Sequence, residues 1–237
     1  MSRFLVTWRS RDTGRTYPVG LLVVGSSDYR FSYLPGVASI EDFREFVNFP
    51  DFDRDYRASR LFPFFSQRVM DPRRPDYPAY VSALGLTVDA SDLDVLARAG
   101  GQRKGDTVQV ILEPTIGVGG AVDHYFLLSG ARHAPGDAPA LIDGLEQGAA
   151  LTVRPQPENL VNPNAHLICT TLDQPLGWVP DALLDLAQEV IATDYRLTAA
   201  HVNGRQWPSH LRVVARLQGT VPPSFEPFRF LTSLTRV

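Results

Sequence analysis

Apolar and polar positions alternate with a period of two over much of the chain, and this predicts β-strands. Residues 4–8, 19–24 and 29–34 are the first three such runs. The polar stretches 9–15 and 25–28 separate them as turns. In the third run Tyr29, Phe31 and Tyr33 alternate with polar residues, so one face is buried. Ser39 and Asp42 form a capping-box-like start, predicting a short helix with Ile40, Phe43, Phe46 and Val47 on its apolar positions. Residues 50–60 are charged with mixed sign and read as a solvated connection. Residues 61–70 carry Phe62, Phe64 and Phe65, an aromatic cluster expected in a core. Residues 75–84 fit a helix with Tyr77, Tyr80, Val81 and Leu84 on one face and Gly85 as C-cap. Ser91 caps a second helix that buries Leu93, Leu96 and Ala97 and stops at Gly100-Gly101, and residues 107–112 return to a strand.

Residues 114–121 are Gly-rich and divide the chain into a domain at 1–113 and another at 122–219. The second opens with a strand at 125–129 and a short helix at 137–147 that turns Leu141, Ile142 and Leu145 inward. A strand at 151–153 follows. Residues 154–180, RPQPENLVNPNAHLICTTLDQPLGWVP, form a polar loop feeding a β-hairpin. The helix beginning at Asp181 buries Leu183, Leu184, Ala187 and Val190 and keeps Asp181, Asp185 and Glu189 on its wet side. Two last strands, 195–202 and 211–217, flank the turn Asn203-Gly204-Arg205. The fold class is therefore α+β: a mixed strand and helix domain, then a small, partly open β-barrel of OB-like type with capping helices. The tail, 220–237, carries Phe225, Phe228 and Phe230 and is expected to pack on a domain.

Charge distribution narrows the function classes. Residues 1–120 hold 15 basic and 15 acidic side chains, and residues 121–219 hold 6 and 10. A broad basic face is excluded, so any nucleic-acid site must be a local pocket. Cys169 is the lone cysteine, which rules out an intrachain disulfide and a Cys-rich zinc site. No run approaches a membrane span, and the N-terminus lacks a signal-peptide profile, so a cytoplasmic protein is expected.

The order Pro157-x-Asn159, Pro163-Asn164-Ala165, apolar strand, Leu176-Gly177-Trp178-Val179-Pro180, helix resembles the HIRAN domain. So does the upstream run 125–132, which ends in Gly130-Ala131-Arg132. The resemblance spans about residues 122–219. It implies a DNA-binding module, of the kind found in DNA-repair proteins, that captures a free 3′ end by stacking aromatics on bases and bonding the terminal hydroxyl with a carboxylate. Carried over by position, the family's arginine is Arg132 and the aromatic after it is His133. The loop aromatic and carboxylate fall on Val161 and Asn162, and the Asn-Ala pair is kept as Asn164-Ala165. A Gly-His step becomes Gly177-Trp178, a lysine becomes Asp181, and a later aromatic corresponds to Trp207. The frame residues persist while half of the ligand-facing ones differ. Residues 62–110 resemble the N-terminal subdomain of HipA-type kinases without the kinase core, which implies a scaffold rather than phosphoryl transfer.

Catalytic motifs are absent. Gly117-Val118-Gly119-Gly120 lacks the following Lys-Ser/Thr of a phosphate-binding loop, and neither a Gly-x-Ser-x-Gly elbow nor a His-Glu-x-x-His helix occurs. His201 and His210 flank one turn, but the histidines are too scattered for a local metal site, so no metal and no cofactor are expected. The chain thus reads as a non-enzymatic module that binds single-stranded or end-exposed nucleic acid. The binding residues are Arg132, His133, Asn162, Asn164, Trp178, Arg205 and Trp207. Trp178 and Trp207 read first as core or domain-interface residues and second as base-stacking surfaces. The alternative is a protein-interaction adaptor whose acidic second domain meets a protein partner.

Overall fold

The computed structural model describes residues 1–103 and 105–229. They divide into two compact units. The first joins residues 1–72 and 91–113 with Phe228 and Arg229; the second joins 73–90 with 114–227.

The first unit is a five-stranded antiparallel sheet. Its strands are β1 (Ser2–Arg9), β2 (Thr16–Val24), β3 (Tyr29–Tyr33), β4 (Tyr56–Ala58) and β5 (Val108–Leu112), in the order β4-β3-β2-β1-β5. Period-two patterning puts Phe4 and Val6, Leu22 and Val24, Phe31 and Tyr33, and Val108 and Val110 into one core. The short helix α1 (Pro63–Ser66) adds Phe65 to it. Leu96 comes from α3 (Asp92–Ala99), which packs on β5. The N-terminus of α3 is closed by a capping box between Ser91 and Asp94, and Gly100 ends it at φ 65°.

The helix expected around residues 40–47 does not form. A 3-10 turn, Val37–Ser39, occupies its start, Asp42 lies at φ 63°, and Val47 is 95% exposed. Ser39 donates its hydroxyl to the Gly36 carbonyl instead of capping. The Tyr33 hydroxyl replaces the missing helical bonds: it accepts from the Phe46 amide at 2.6 Å and donates to the Phe49 carbonyl at 2.9 Å. Irregular backbone lets Phe43 and Phe49 reach the core from one loop, and their burial outweighs local helix propensity.

The second unit is a six-stranded antiparallel sheet. Its strands are β6 (Ala121–Leu127), β7 (Ala150–Pro155), β8 (His166–Thr170), β9 (Pro175–Trp178), β10 (Arg196–Val202) and β11 (Val213–Thr220), in the order β6-β11-β10-β7-β8-β9. The two edges meet. Just past β6, Ser129 exchanges both backbone hydrogen bonds with Trp178, each at 2.8 Å. This single rung curls the sheet into a partly open barrel. Two glycines permit it. A Cβ on Gly177 would sit 2.8 Å from the Ser129 carbonyl, and one on Gly130, at φ 63°, would sit 2.8 Å from the Trp178 ring. Three helices accompany the barrel: α2 (Tyr77–Ala83), α4 (Ala138–Asp143) and α5 (Leu184–Ile191), the last packed on β11. Phe228 is 4% exposed and Phe225 half-buried, while Phe230 lies outside the described residues.

Candidate nucleic-acid interface

The closing rung organises one rim of the barrel. Immediately after Ser129 and Gly130, a 3-10 turn at Ala131–His133 presents Arg132 and His133 to solvent. Arg132 donates from Nε to His133 Nε2 at 2.8 Å, so that nitrogen is the acceptor of the pair. Among the described residues no carboxylate pairs with Arg132. Three elements pack on this turn: β9, α4 and a second 3-10 turn at Ser209–Leu211.

Trp178 is half-buried at the rung, and its indole Nε1 donates to Gln156 Oε1 at 2.7 Å. The same oxygen accepts from Asn159 Nδ2 at 2.9 Å. Asn159 Oδ1 in turn accepts from the amides of Val161 and Asn162. Asn162 Oδ1 accepts from the Asn164 amide at 3.0 Å, and its Nδ2 donates to Asp181 Oδ1 at 3.0 Å. The loop 156–164 is therefore latched to the barrel seam at one end and to the start of the α5 segment at the other. Leu160 stands 99% exposed on it.

Arg132, His133 and Trp178 are thus brought together at the seam. Asn162 and Asn164 lie in the adjoining loop, with the Asn162 amide engaged by the fold. Arg205 belongs to a different constellation. It pairs with Asp143, at the end of α4, and the same carboxylate accepts from Arg212 Nη2 at 2.6 Å. Burial pushes the Asp143 carboxyl up, but the hydrogen bonds from Arg205 and Arg212 outweigh it and hold the carboxyl below its ordinary value. Arg212 is buried and also donates from Nε to the Asn203 carbonyl at 2.7 Å. Trp207 is half-buried in the turn leading to Ser209–Leu211, with its amide on the Gly204 carbonyl. Arg154 reaches Asp173 at 3.3 Å. Arg154, Arg205 and Arg212 therefore each have a carboxylate partner.

Four residues at this rim carry no local sequence signal for their roles. Gln156 and Asn159 latch the loop, Asp143 binds two arginines distant in sequence, and His210 sits on the turn beside Arg132. Burial, then the charge of Arg132, pushes the His210 imidazole below its ordinary value. Among the described residues no group of three His, Cys, Asp or Glu side chains could hold a metal ion, and no helix is long and apolar enough to cross a membrane. A cavity of about 290 Å³ lies in the first unit, lined by Tyr33, Phe52, Asp53, Arg54 and Asp55 among others. None of the predicted binding residues lines it.

No family model and no curated protein matches the chain. Among solved structures, a protein from Lactobacillus plantarum is similar at 16% identity and a TM-score of 0.35, over 43% of this chain and 97% of that one. The HIRAN domain of human HLTF is similar at 10% identity and a TM-score of 0.30, over 48% of this chain and 85% of that one. A HIRAN domain is thus a weak structural neighbour, and likeness at this level carries no ligand with it.

Proposed function

We propose that the barrel unit is a non-enzymatic module that binds single-stranded or end-exposed nucleic acid at the rim around Arg132, in the manner of the HIRAN domains it resembles in sequence, with the first unit as a scaffold. The observation that supports this most is the Arg132 guanidinium. It is exposed, has no carboxylate partner among the described residues, and rises from a turn that packs on β9, the strand that ends in the half-buried Trp178. A guanidinium fork suits a phosphate and an indole face suits a base, with stacking contributing about 1–3 kcal/mol per base. His133 adds a second ring at the same turn. Arg205 and Trp207 would flank the ligand, and Asn162 and Asn164 would shape the neighbouring loop. Because the Asn162 amide is engaged by Asp181 and Asn164, recognition of a terminal hydroxyl through that residue is not part of this proposal.

Fluorescence anisotropy with short single-stranded oligonucleotides, open or blocked at the 3′ end, across a salt series tests it. Binding should weaken with salt, and Arg132→Ala should lower affinity about tenfold at low salt and flatten the salt slope by about 0.7. Absence of binding at low salt would dispose of the proposal. A second reading, a protein-interaction adaptor, is favoured by one observation. Arg154, Arg205 and Arg212 are neutralised by carboxylates within the unit, so positive potential at the rim is narrow. That reading predicts no oligonucleotide binding at any salt concentration.

A further inference from the structure

We propose that Arg132, His133 and His210 form a proton-linked phosphate clamp, in which His210 gains a proton as the phosphate binds. The inference deepens the nucleic-acid reading of the same rim and rests on it. The turns Ala131–His133 and Ser209–Leu211 pack against each other and set a half-buried imidazole beside an exposed guanidinium. Arg132 uses only Nε on His133, so both of its Nη nitrogens remain for a phosphate, which a guanidinium grips in a bidentate way.

The charged groups of this neighbourhood are few. Arg132 acts on His210 from the packed turn, whose other titratable side chain is His133. Arg212 follows it in sequence, but Arg212 and Arg205 both bind Asp143. Asp137, at the start of α4, accepts from the Ala140 amide. Among the described residues no carboxylate is paired with Arg132, so burial and the charge of Arg132 push the free His210 imidazole below its ordinary value. An oxyanion held between the two reverses the balance, because it attracts both cations and favours the charged imidazole. The bound state then holds a proton that the free state lacks. Affinity must rise as pH falls toward the free imidazole's range and fade as pH rises above the bound one.

The test measures anisotropy at pH 5.5, 6.5 and 7.5 with two oligonucleotides, one ending in a 3′-hydroxyl and one in a 3′-phosphate. Each is measured on the full chain and on His210→Gln, whose profile removes the titration of the ligand itself. The full chain should bind about tenfold more tightly at pH 5.5 than at 7.5 relative to His210→Gln, the limit being tenfold per pH unit for one proton. Equal gains for both oligonucleotides assign the clamp to a backbone phosphodiester, and a gain for the phosphate-ended one alone assigns it to a terminal monoester. Identical pH profiles for the full chain and His210→Gln would overturn the clamp, as would a dependence lost in His133→Gln but kept in His210→Gln. If neither oligonucleotide binds, the nucleic-acid reading fails, and the clamp is then judged by the proton resonance of His210 Cε1 titrated with inorganic phosphate. An upward shift of its midpoint sustains a phosphate site, and an unmoved midpoint removes it.

Discussion

The two units use the same kinds of side chain in opposite ways. In the first, aromatic rings are the core: Phe31 alone packs against Tyr33, Phe46, Phe49, Tyr56 and Phe65, with the Phe49 centroid at 4.2 Å. In the second, the barrel interior is mainly aliphatic, with Leu151, Leu167, Ile168, Leu176, Leu197, Val214 and Leu217 buried, while Trp178 and Trp207 sit half-buried at its edge. Side chains with polar groups divide likewise. The Tyr33 hydroxyl is sealed inside the first unit, where it stands in for helical hydrogen bonds. Gln156, Asn159 and Asn162 shape an open loop on the second. An aromatic consumed by a core supplies stability and offers nothing to a ligand. One left at a seam near Arg132, which has no carboxylate partner among the described residues, keeps a face for recognition. The contrast locates candidate chemistry by what packing does not use.

The contrast breaks most sharply at Phe31, which is 0% exposed. Phe31→Ala should destabilise the first unit by about 3–5 kcal/mol, through lost transfer free energy and a cavity among five rings. Denaturant unfolding followed at Trp8 measures it. A loss below 1 kcal/mol would mean the aromatic cluster is not that unit's core. The next effect is a pH dependence. Burial pushes the Tyr33 phenol up to about 12 from its ordinary value of 10.0. Below pH 10 both folded and unfolded chains keep the proton, and the stabilising effect is complete. Above it the unfolded chain releases the proton first, so stability falls by about 2–3 kcal/mol between pH 10 and 12. Tyr33→Phe should remove that slope. It should also cost about 1–3 kcal/mol at neutral pH, because the Phe46 amide and Phe49 carbonyl lose their partner. Denaturation midpoints at pH 8, 10 and 11.5 give both quantities. Burial pushes Tyr80 in the second unit up to about 12 as well, so part of any alkaline loss should survive the substitution.

Much of the fold was legible because a strand declares itself locally. The alternation at Tyr29, Phe31 and Tyr33, and the helix cap at Ser91, both formed as the pattern predicts. The α+β class and the partly open barrel followed from the same periodicity. The helix across residues 40–47 misled for the complementary reason. Its apolar spacing was that of a helix, but Phe43 and Phe49 gain more by entering a core assembled from distant strands. The candidate site was half legible. The turn carrying Arg132 and His133 packs on β9, which ends at Trp178, because Ser129 pairs with Trp178, a contact across the barrel that no local pattern announces. Arg205 and Arg212 stood in sequence as available cations, and only tertiary placement gives both to Asp143.

The smallest expected effect tests whether the rim loop is held as firmly as the buried tyrosine holds its own. Gln156 Oε1 joins Trp178 Nε1 to Asn159 Nδ2, and Asn159 Oδ1 holds the amides of Val161 and Asn162. Gln156→Ala removes the shared acceptor at a half-exposed position where water can replace it, so the cost to global stability should be about 1 kcal/mol. Its local consequence should be clearer. Without the latch, Asn159 loses its anchor to the seam, and the Val161 and Asn162 amides should exchange hydrogen faster than in the unaltered chain. The β8 amides paired with β7 should keep their rates. Equal acceleration in loop and strand would mean that Gln156 supports the barrel as a whole. No acceleration at either place would mean that the loop holds its shape without the indole, and the seam and the loop would then be independent features of the rim.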